Sequence, residues 1–283
     1  MTEEENWDLI IKPKNKWYKI DIASIWKYSD LLMLLVRRDF ISVYKQTILG
    51  PIWFFIQPLI TTLIFTVIFG NLAKISTAGI PAILFYMSGI TLWTYFADCL
   101  NKTSNTFIAN AGVFGKVYFP RLIVPLSVLI SNLIKLGIQI LLFLIIWIYY
   151  LSKNDVINPQ WTLIWLFPIL IVIMAGLGLG FGILISSLTT KYRDFTFLIG
   201  FGVQLLMYAS PIVYPMAIVP EKWKFWILLN PVSSIIETFK FIFMGNGYFS
   251  WHSLMYSLTF MIVLIIVSVI VFNKVEKTFM DTV

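Results

Sequence analysis

PIWFFIQPLITTLIFTVIFG, residues 51–70, carries no charged side chain. At about 1.5 Å of rise per residue, a helix of this length spans the roughly 30 Å hydrocarbon core of a bilayer. Only a helix suits so continuous an apolar run in lipid, because its backbone amides find no water there. Further apolar stretches follow at 81–100, 122–150, 161–187, 195–214 and 252–272. The one at 122–150 is long enough to tilt or to project beyond the bilayer. The chain therefore reads as an all-α integral membrane protein, with six transmembrane helices forming one transmembrane domain over 51–272.

Composition agrees. Of 283 residues, 59% are hydrophobic and only 12% charged, and the mean hydropathy is +0.85. Soluble domains carry about a quarter charged residues. A net charge of +7 fits either a nucleic-acid surface or a membrane topology, and its distribution separates the two. Residues 1–50 alone hold eight Lys and Arg. With both termini inside, fifteen basic residues are cytoplasmic and five external, with Lys135 inside the third span. That bias follows the positive-inside rule. The expectation is a multi-pass protein of the cytoplasmic (inner) membrane, both termini cytoplasmic, in contact with membrane lipids and with no nucleic-acid partner. The acidic start MTEEENWDLI lacks a signal-peptide pattern, so the mature chain is expected to begin at or near Met1. A single cysteine, Cys99, and a single histidine, His252, leave no disulfide framework and no His/Cys metal cluster.

No catalytic residues are expected. There is no G-x-x-x-x-G-K-[ST] nucleotide loop, no H-E-x-x-H, no nucleophile elbow and no plausible carboxylate pair. GLGLGFG at 176–182 lies inside the fourth span. Its small-x-x-x-small spacing suits close helix approach in lipid rather than a dinucleotide. Lys135 is the most informative single charge. A lysine at a helix centre costs ~2.5–3.5 kcal/mol on insertion scales, so it should meet a cavity, a partner or a carboxylate unless it snorkels. Asp98 is one conceivable partner.

Outside the spans, 1–23 and 273–283 read as a cytoplasmic N-terminal segment and tail. Residues 24–46, after a possible Ser24 cap, have helical period. Ile25, Leu32, Val36, Phe40 and Val43 share one face, opposite Lys27, Asp30, Arg37, Arg38 and Lys45. This is an amphipathic helix, lying in the membrane interface or packed on other helices. Residues 101–120 are too polar to span, yet carry Phe107, Ile108, Val113, Phe114, Tyr118 and Phe119. Such a loop docks on a partner or against the protein's own helix ends. Residues 211–250 are broken by Pro211, Pro215, Pro220 and Pro231 into EKWKFWILLN and VSSIIETFKFIFMG. Each piece is too short to cross, which suggests re-entrant or interfacial half-helices. Aromatics make up 17% of the chain, and those of a pore wall could stack on sugar rings. Candidates for such a pathway are Trp53, Phe54, Trp93, Tyr95, Phe96, Tyr208 and Tyr214.

Taken in order, these segments resemble the type-2 ABC transporter permeases of the polysaccharide export branch. The resemblance rests on YKQTILGPIWFFIQPLITTLIFTVIFG at 44–70, GITLWTYFADCLNKTSNTFIANAGVFGKVYFPRLIVPLS at 89–127, YRDF at 192–195, SPIVYP at 210–215 and LNPVSSIIETFKFIFMG at 229–245. It covers nearly the whole chain after residue 25. Lys135, where an acidic residue is common, and Lys240, where arginine is common, depart from the pattern.

The resemblance implies a permease subunit of an ATP-driven exporter of lipid-linked polysaccharide, of O-antigen or teichoic-acid type. It implies a homodimer working with two copies of a cytoplasmic P-loop ATPase, which would hold the ATP and Mg, and an undecaprenyl-linked polysaccharide as substrate. The 101–120 loop becomes the coupling helix, with Phe107, Asn110, Phe114, Lys116, Tyr118 and Arg121 facing the ATPase beside Tyr192, Arg193 and Asp194. The 211–250 segment becomes an external gate hairpin, marked by Pro211, Pro215, Trp223, Trp226 and Pro231. Arg37 and Arg38 are candidates for the carrier's pyrophosphate, with anionic lipid headgroups as the alternative. A permease for drugs or small molecules, or a membrane-embedded glycan- or lipid-modifying enzyme, are the competing readings; the enzyme would need acidic or histidine clusters.

Overall fold

The computed structural model describes residues 22–45, 47–114, 116–117, 119–153, 157–189 and 194–282, and all regular structure among them is helical. In chain order the helices are α1 (Ile22–Lys27), α2 (Ser29–Tyr44), α3 (Trp53–Phe65), α4 (Ala82–Ser104), α5 (Thr106–Phe114), α6 (Ile123–Lys153), α7 (Leu166–Thr189), α8 (Phe195–Ala209), α9 (Glu221–Leu229), α10 (Pro231–Met244) and α11 (Trp251–Thr282). Five stretches among the described residues are long and apolar enough to cross a membrane: Gly50–Leu72, α4, α6, α7 and Trp251–Val275.

The fifth stretch expected to span, 195–214, differs. Its helix α8 has 15 residues, about 22 Å, short of the hydrocarbon thickness. It stops because Ser210 turns extended at ψ 149° and Pro211 and Pro215 have no N–H to continue the ladder. After it, α9 and α10 form a broken pair bent by 105°. Asn230 makes the corner, its side-chain oxygen accepting from the Val232 amide at 3.1 Å, with Pro231 at the first helical position.

The first span is also irregular. Pro58 sits inside α3, and the helix runs on as a π-helical turn over Thr66–Leu72. Only 17% of this span is buried, against 78% of α4, so the first span is peripheral and α4 is the centre of the bundle. α4 packs chiefly on α7 and α6, and α7 on α11. The glycines of α7 explain the approach, since Cβ atoms would collide on both sides. One on Gly178 would lie 2.8 Å from Cys99 Cβ, and one on Gly182 would lie 2.5 Å from Thr103 Cβ, both on α4. Gly176 and Gly180 meet Met261 and Leu264 of α11 in the same way.

The N-terminal helix is two pieces rather than one, broken at Tyr28. Ser24 lies inside α1, so it is no cap. Much of the expected lipid face packs on protein: Val36 is buried, with the Ser131 hydroxyl of α6 donating to its carbonyl at 3.4 Å, and Phe40 stacks on Phe54 at 5.4 Å. Tertiary burial overrides the amphipathic reading there, and Trp26, Met33 and Leu34 are the large apolar side chains left exposed.

Candidate functional site

At one end of the bundle α5 crosses beneath α4 and α7. Phe107 is buried and stacks on Phe272 of α11 at 4.6 Å. Phe114 is buried beside Phe119 at 5.7 Å, and the Arg121 guanidinium lies 5.6 Å from its ring centre. Phe107 and Phe114 thus anchor the segment instead of facing a partner, because two large aromatics release most free energy by leaving water. The surface offered outward is Ile108, Val113, Lys116 and Val117. Asn110 is half-buried, its amide donating to the Thr106 carbonyl, and Asp194 is exposed at the start of α8. Tyr118, Tyr192 and Arg193 lie outside the described residues.

A polar cavity of about 690 Å³ opens beside α5, lined among others by Arg38, Asp39, Asn101, Lys102, Asn110 and Ser131. Four helices make it: α2, α4, α5 and α6. Val124, Val128 and Ser131 line it from α6, at i, i+4 and i+7, which is one helix stripe. The next residue of that stripe is Lys135. On α4, Asp98 lies one turn beyond Lys102, and Lys135 Nζ reaches Asp98 Oδ2 at 2.6 Å. Between them, Lys102 donates to Asn132 Oδ1 at 3.0 Å, and Asn132 reaches Cys99 Sγ at 3.7 Å. From the Lys102 wall a ladder of polar side-chain contacts therefore runs on into the bundle and ends in that ion pair. Arg38 lines it, but its Nε and Nη2 both donate to Asp39 Oδ1, at 2.9 and 2.8 Å. Arg37 is exposed and not among the lining residues. Neighbouring positions on a helix point about 100° apart, so these two arginines do not form one clamp. Lys102 was not legible as a site residue, since its cavity comes from α2, α5 and α6 meeting around it.

The aromatic candidates divide. Phe54, Trp93, Tyr95 and Phe96 are buried, a correction that follows from α4 being the central helix for the last three and from α2 covering Phe54 through Phe40. Trp53 and Tyr208 are exposed, and Tyr214 is half-buried.

At the opposite end lies the α9–α10 hairpin. Trp223 and Trp226 are exposed on α9, while Pro211, Pro215 and Pro231 are buried. Its corner is a polar seam, where Asn230 donates to Ser210 Oγ at 2.9 Å and Ser234 and Ser257 hydroxyls meet at 2.6 Å. Further along α10, Lys240 Nζ donates to the Pro211 carbonyl at 2.5 Å and to Glu237 Oε1 at 3.2 Å. The same ammonium lies 3.7 Å from the Phe85 ring centre. This buried node ties the hairpin to α4 and to the end of α8. No group of three or more His, Cys, Asp or Glu able to hold a metal occurs among the described residues.

Residues 30–244 match the family model described as ABC-2 type transporter. An O-antigen export system permease protein, RfbA, of Klebsiella pneumoniae is 29% identical over 254 residues, covering 89% of this chain and 94% of its own length. RfbA of Myxococcus xanthus is 23% identical over 78% of this chain and 83% of its own. A polysialic acid transport protein, KpsM, of Escherichia coli is 24% identical over 88% and 94%. With the family match running through the first span, the α5 segment and the hairpin alike, this chain belongs to the ABC-2 type transporter family.

Proposed function

We propose that this chain is the membrane-spanning permease subunit of an ATP-driven exporter that carries lipid-linked polysaccharide, of O-antigen or teichoic-acid type, across the cytoplasmic membrane. Carrying this reading is a likeness that runs nearly end to end, to relatives named for O-antigen export and polysialic acid transport. Those names favour polysaccharide over drugs or small molecules as the cargo.

The geometry fits the division of labour. The exposed side chains Ile108 and Val113 of α5, with Lys116 and Val117 just after it, form the docking surface for a separate P-loop ATPase, which supplies ATP and Mg. Two permease copies and two ATPase copies form the working assembly, with both permease termini in the cytoplasm. The basic residues of 1–50 then lie on the side of anionic headgroups. The 690 Å³ cavity lies at that same end and suits the phosphates of an undecaprenyl carrier. Lys102 and Arg38 supply its cations. The α9–α10 hairpin is the external gate.

Deletion of the gene, with complementation, tests the proposal. Surface glycan should disappear while lipid-linked polymer builds up inside, and both should reverse with the restored gene. Unchanged surface glycan in the deletion strain overturns the reading.

A further inference from the structure

A second cavity, of about 340 Å³, lies between the α9–α10 hairpin and the turn joining the first span to α4. Phe85, Ala217, Lys224, Asn246 and Tyr248 line it, together with both members of the Glu237–Lys240 pair. Those two ionised side chains are each 1% exposed, yet they border open space. Their bonding is unequal. All three ammonium protons of Lys240 have an acceptor, namely the Pro211 carbonyl, Glu237 Oε1 and the Phe85 ring. A carboxylate offers about four lone-pair positions. Glu237 uses one for Lys240 and one for the Tyr248 amide, at 3.1 Å. The rest of its acceptor capacity is left on a group that borders the cavity.

The other walls are complementary. Lys224 Nζ gives one proton to Glu221 at 2.6 Å, leaving two. Asn246 gives its amide to the Ala78 carbonyl at 3.2 Å, which leaves its oxygen as an acceptor. An anion here would meet Glu237, a cation would meet Lys224 and Lys240, and an apolar molecule would leave the carboxylate unmatched. A ligand with several hydroxyls and a flat apolar face satisfies all of them, donating to Glu237, accepting from Lys224 and lying against an aromatic ring. The volume is at the low end of the ~300–1,000 Å³ of ligand pockets, enough for a short piece of a chain.

We propose that this cavity is a sugar-holding subsite, taking a pyranose unit of the emerging polymer against Glu237, Lys224 and Asn246. It rests on the permease reading above and adds a place to it. Because Lys240 links Glu237 to the Pro211 carbonyl, an occupant bonded to Glu237 bears directly on the joint between hairpin, α4 and α8.

The test is cysteine labelling with a membrane-impermeant maleimide, in cells holding the complete transporter and either making or unable to make the polymer. Ala78→Cys and Ala217→Cys report from two walls, and Ser152→Cys, exposed at the end of α6, reports from outside the cavity. The native Cys99 is buried. Several-fold slower labelling at Ala78→Cys and Ala217→Cys when polymer is made, with Ser152→Cys unchanged, is the expected result. Equal labelling in both cell types at all three positions, with surface glycan still appearing, overturns the subsite and leaves the permease reading intact. Equal protection of Ser152→Cys also overturns it, since that is shielding by the surface glycan. Loss of the permease reading itself would show separately, as unchanged surface glycan on gene deletion.

Discussion

Lys135 Nζ lies 2.6 Å from Asp98 Oδ2, joining α6 to α4 across 37 positions of sequence. Both side chains keep some exposure, 17% for Lys135 and 28% for Asp98. Neither charge is fully buried, and removing one partner leaves the other without its counter-ion inside a membrane-spanning helix, where lipid cannot solvate it. Asp98→Asn or Lys135→Met should each destabilise the protein by ~1–3 kcal/mol, below the ~3–5 kcal/mol of a fully buried pair. The exchanged pair Asp98→Lys with Lys135→Asp should recover most of that. Thermal unfolding in detergent measures it, and no recovery in the exchanged pair would mean the contact is not what holds these positions.

At the hairpin, Lys240→Met should cost more, because Glu237 would keep a charge at 1% exposure with only the Tyr248 amide as partner. A loss of ~3–5 kcal/mol follows from leaving such a charge uncompensated. Adding Glu237→Gln should return part of it by removing that charge. The yield of folded, monodisperse protein reads this, and a double variant worse than the single one would contradict the pairing.

For α5, burial and exposure make opposite forecasts. Phe107→Ala empties a fully buried site against Phe272 and should lower stability by ~3–5 kcal/mol. Val113→Glu changes an exposed side chain and should leave folding alone while reducing co-purification of the ATPase subunit several-fold. A Val113→Glu protein that retains its ATPase in full would remove α5 from the docking surface.

Glycine substitutions test the packing directly. Gly182→Ala places a methyl 2.5 Å from Thr103 Cβ, so α4 and α7 must separate, at ~1–3 kcal/mol. Gly137→Ala meets nothing within 4 Å and should be neutral or stabilising by up to ~1 kcal/mol, as for a helix-interior glycine. Similar unfolding temperatures for the two variants would contradict the close approach of α4 and α7.

The long apolar runs were legible because hydropathy and length are local properties. Five of them became helices of crossing length. The proline breaks at 211–250 were legible for the same reason, since a missing N–H ends a helix wherever it falls. The spacing of Gly176, Gly178, Gly180 and Gly182 announced close packing, but not that one pair serves α11 and the other α4. Trp93, Tyr95 and Phe96 were misplaced as pathway residues for a related reason. An aromatic on a membrane helix reads alike whether it faces a conduit or a neighbour.

By itself, the sequence determined that this is a helical membrane protein and that prolines interrupt the helical pattern over 211–250, but it ran the fifth apolar run on to 214. Hydropathy, length and the positions of proline settled that much without any contact being known. Tertiary structure alone decided that Lys135 meets Asp98 and that Phe107 and Phe114 face inward. It also brought Glu237, Lys240 and Phe85 to one point. Such relations depend on which helices touch, and a charge is paired or costly only through neighbours that lie far away along the chain.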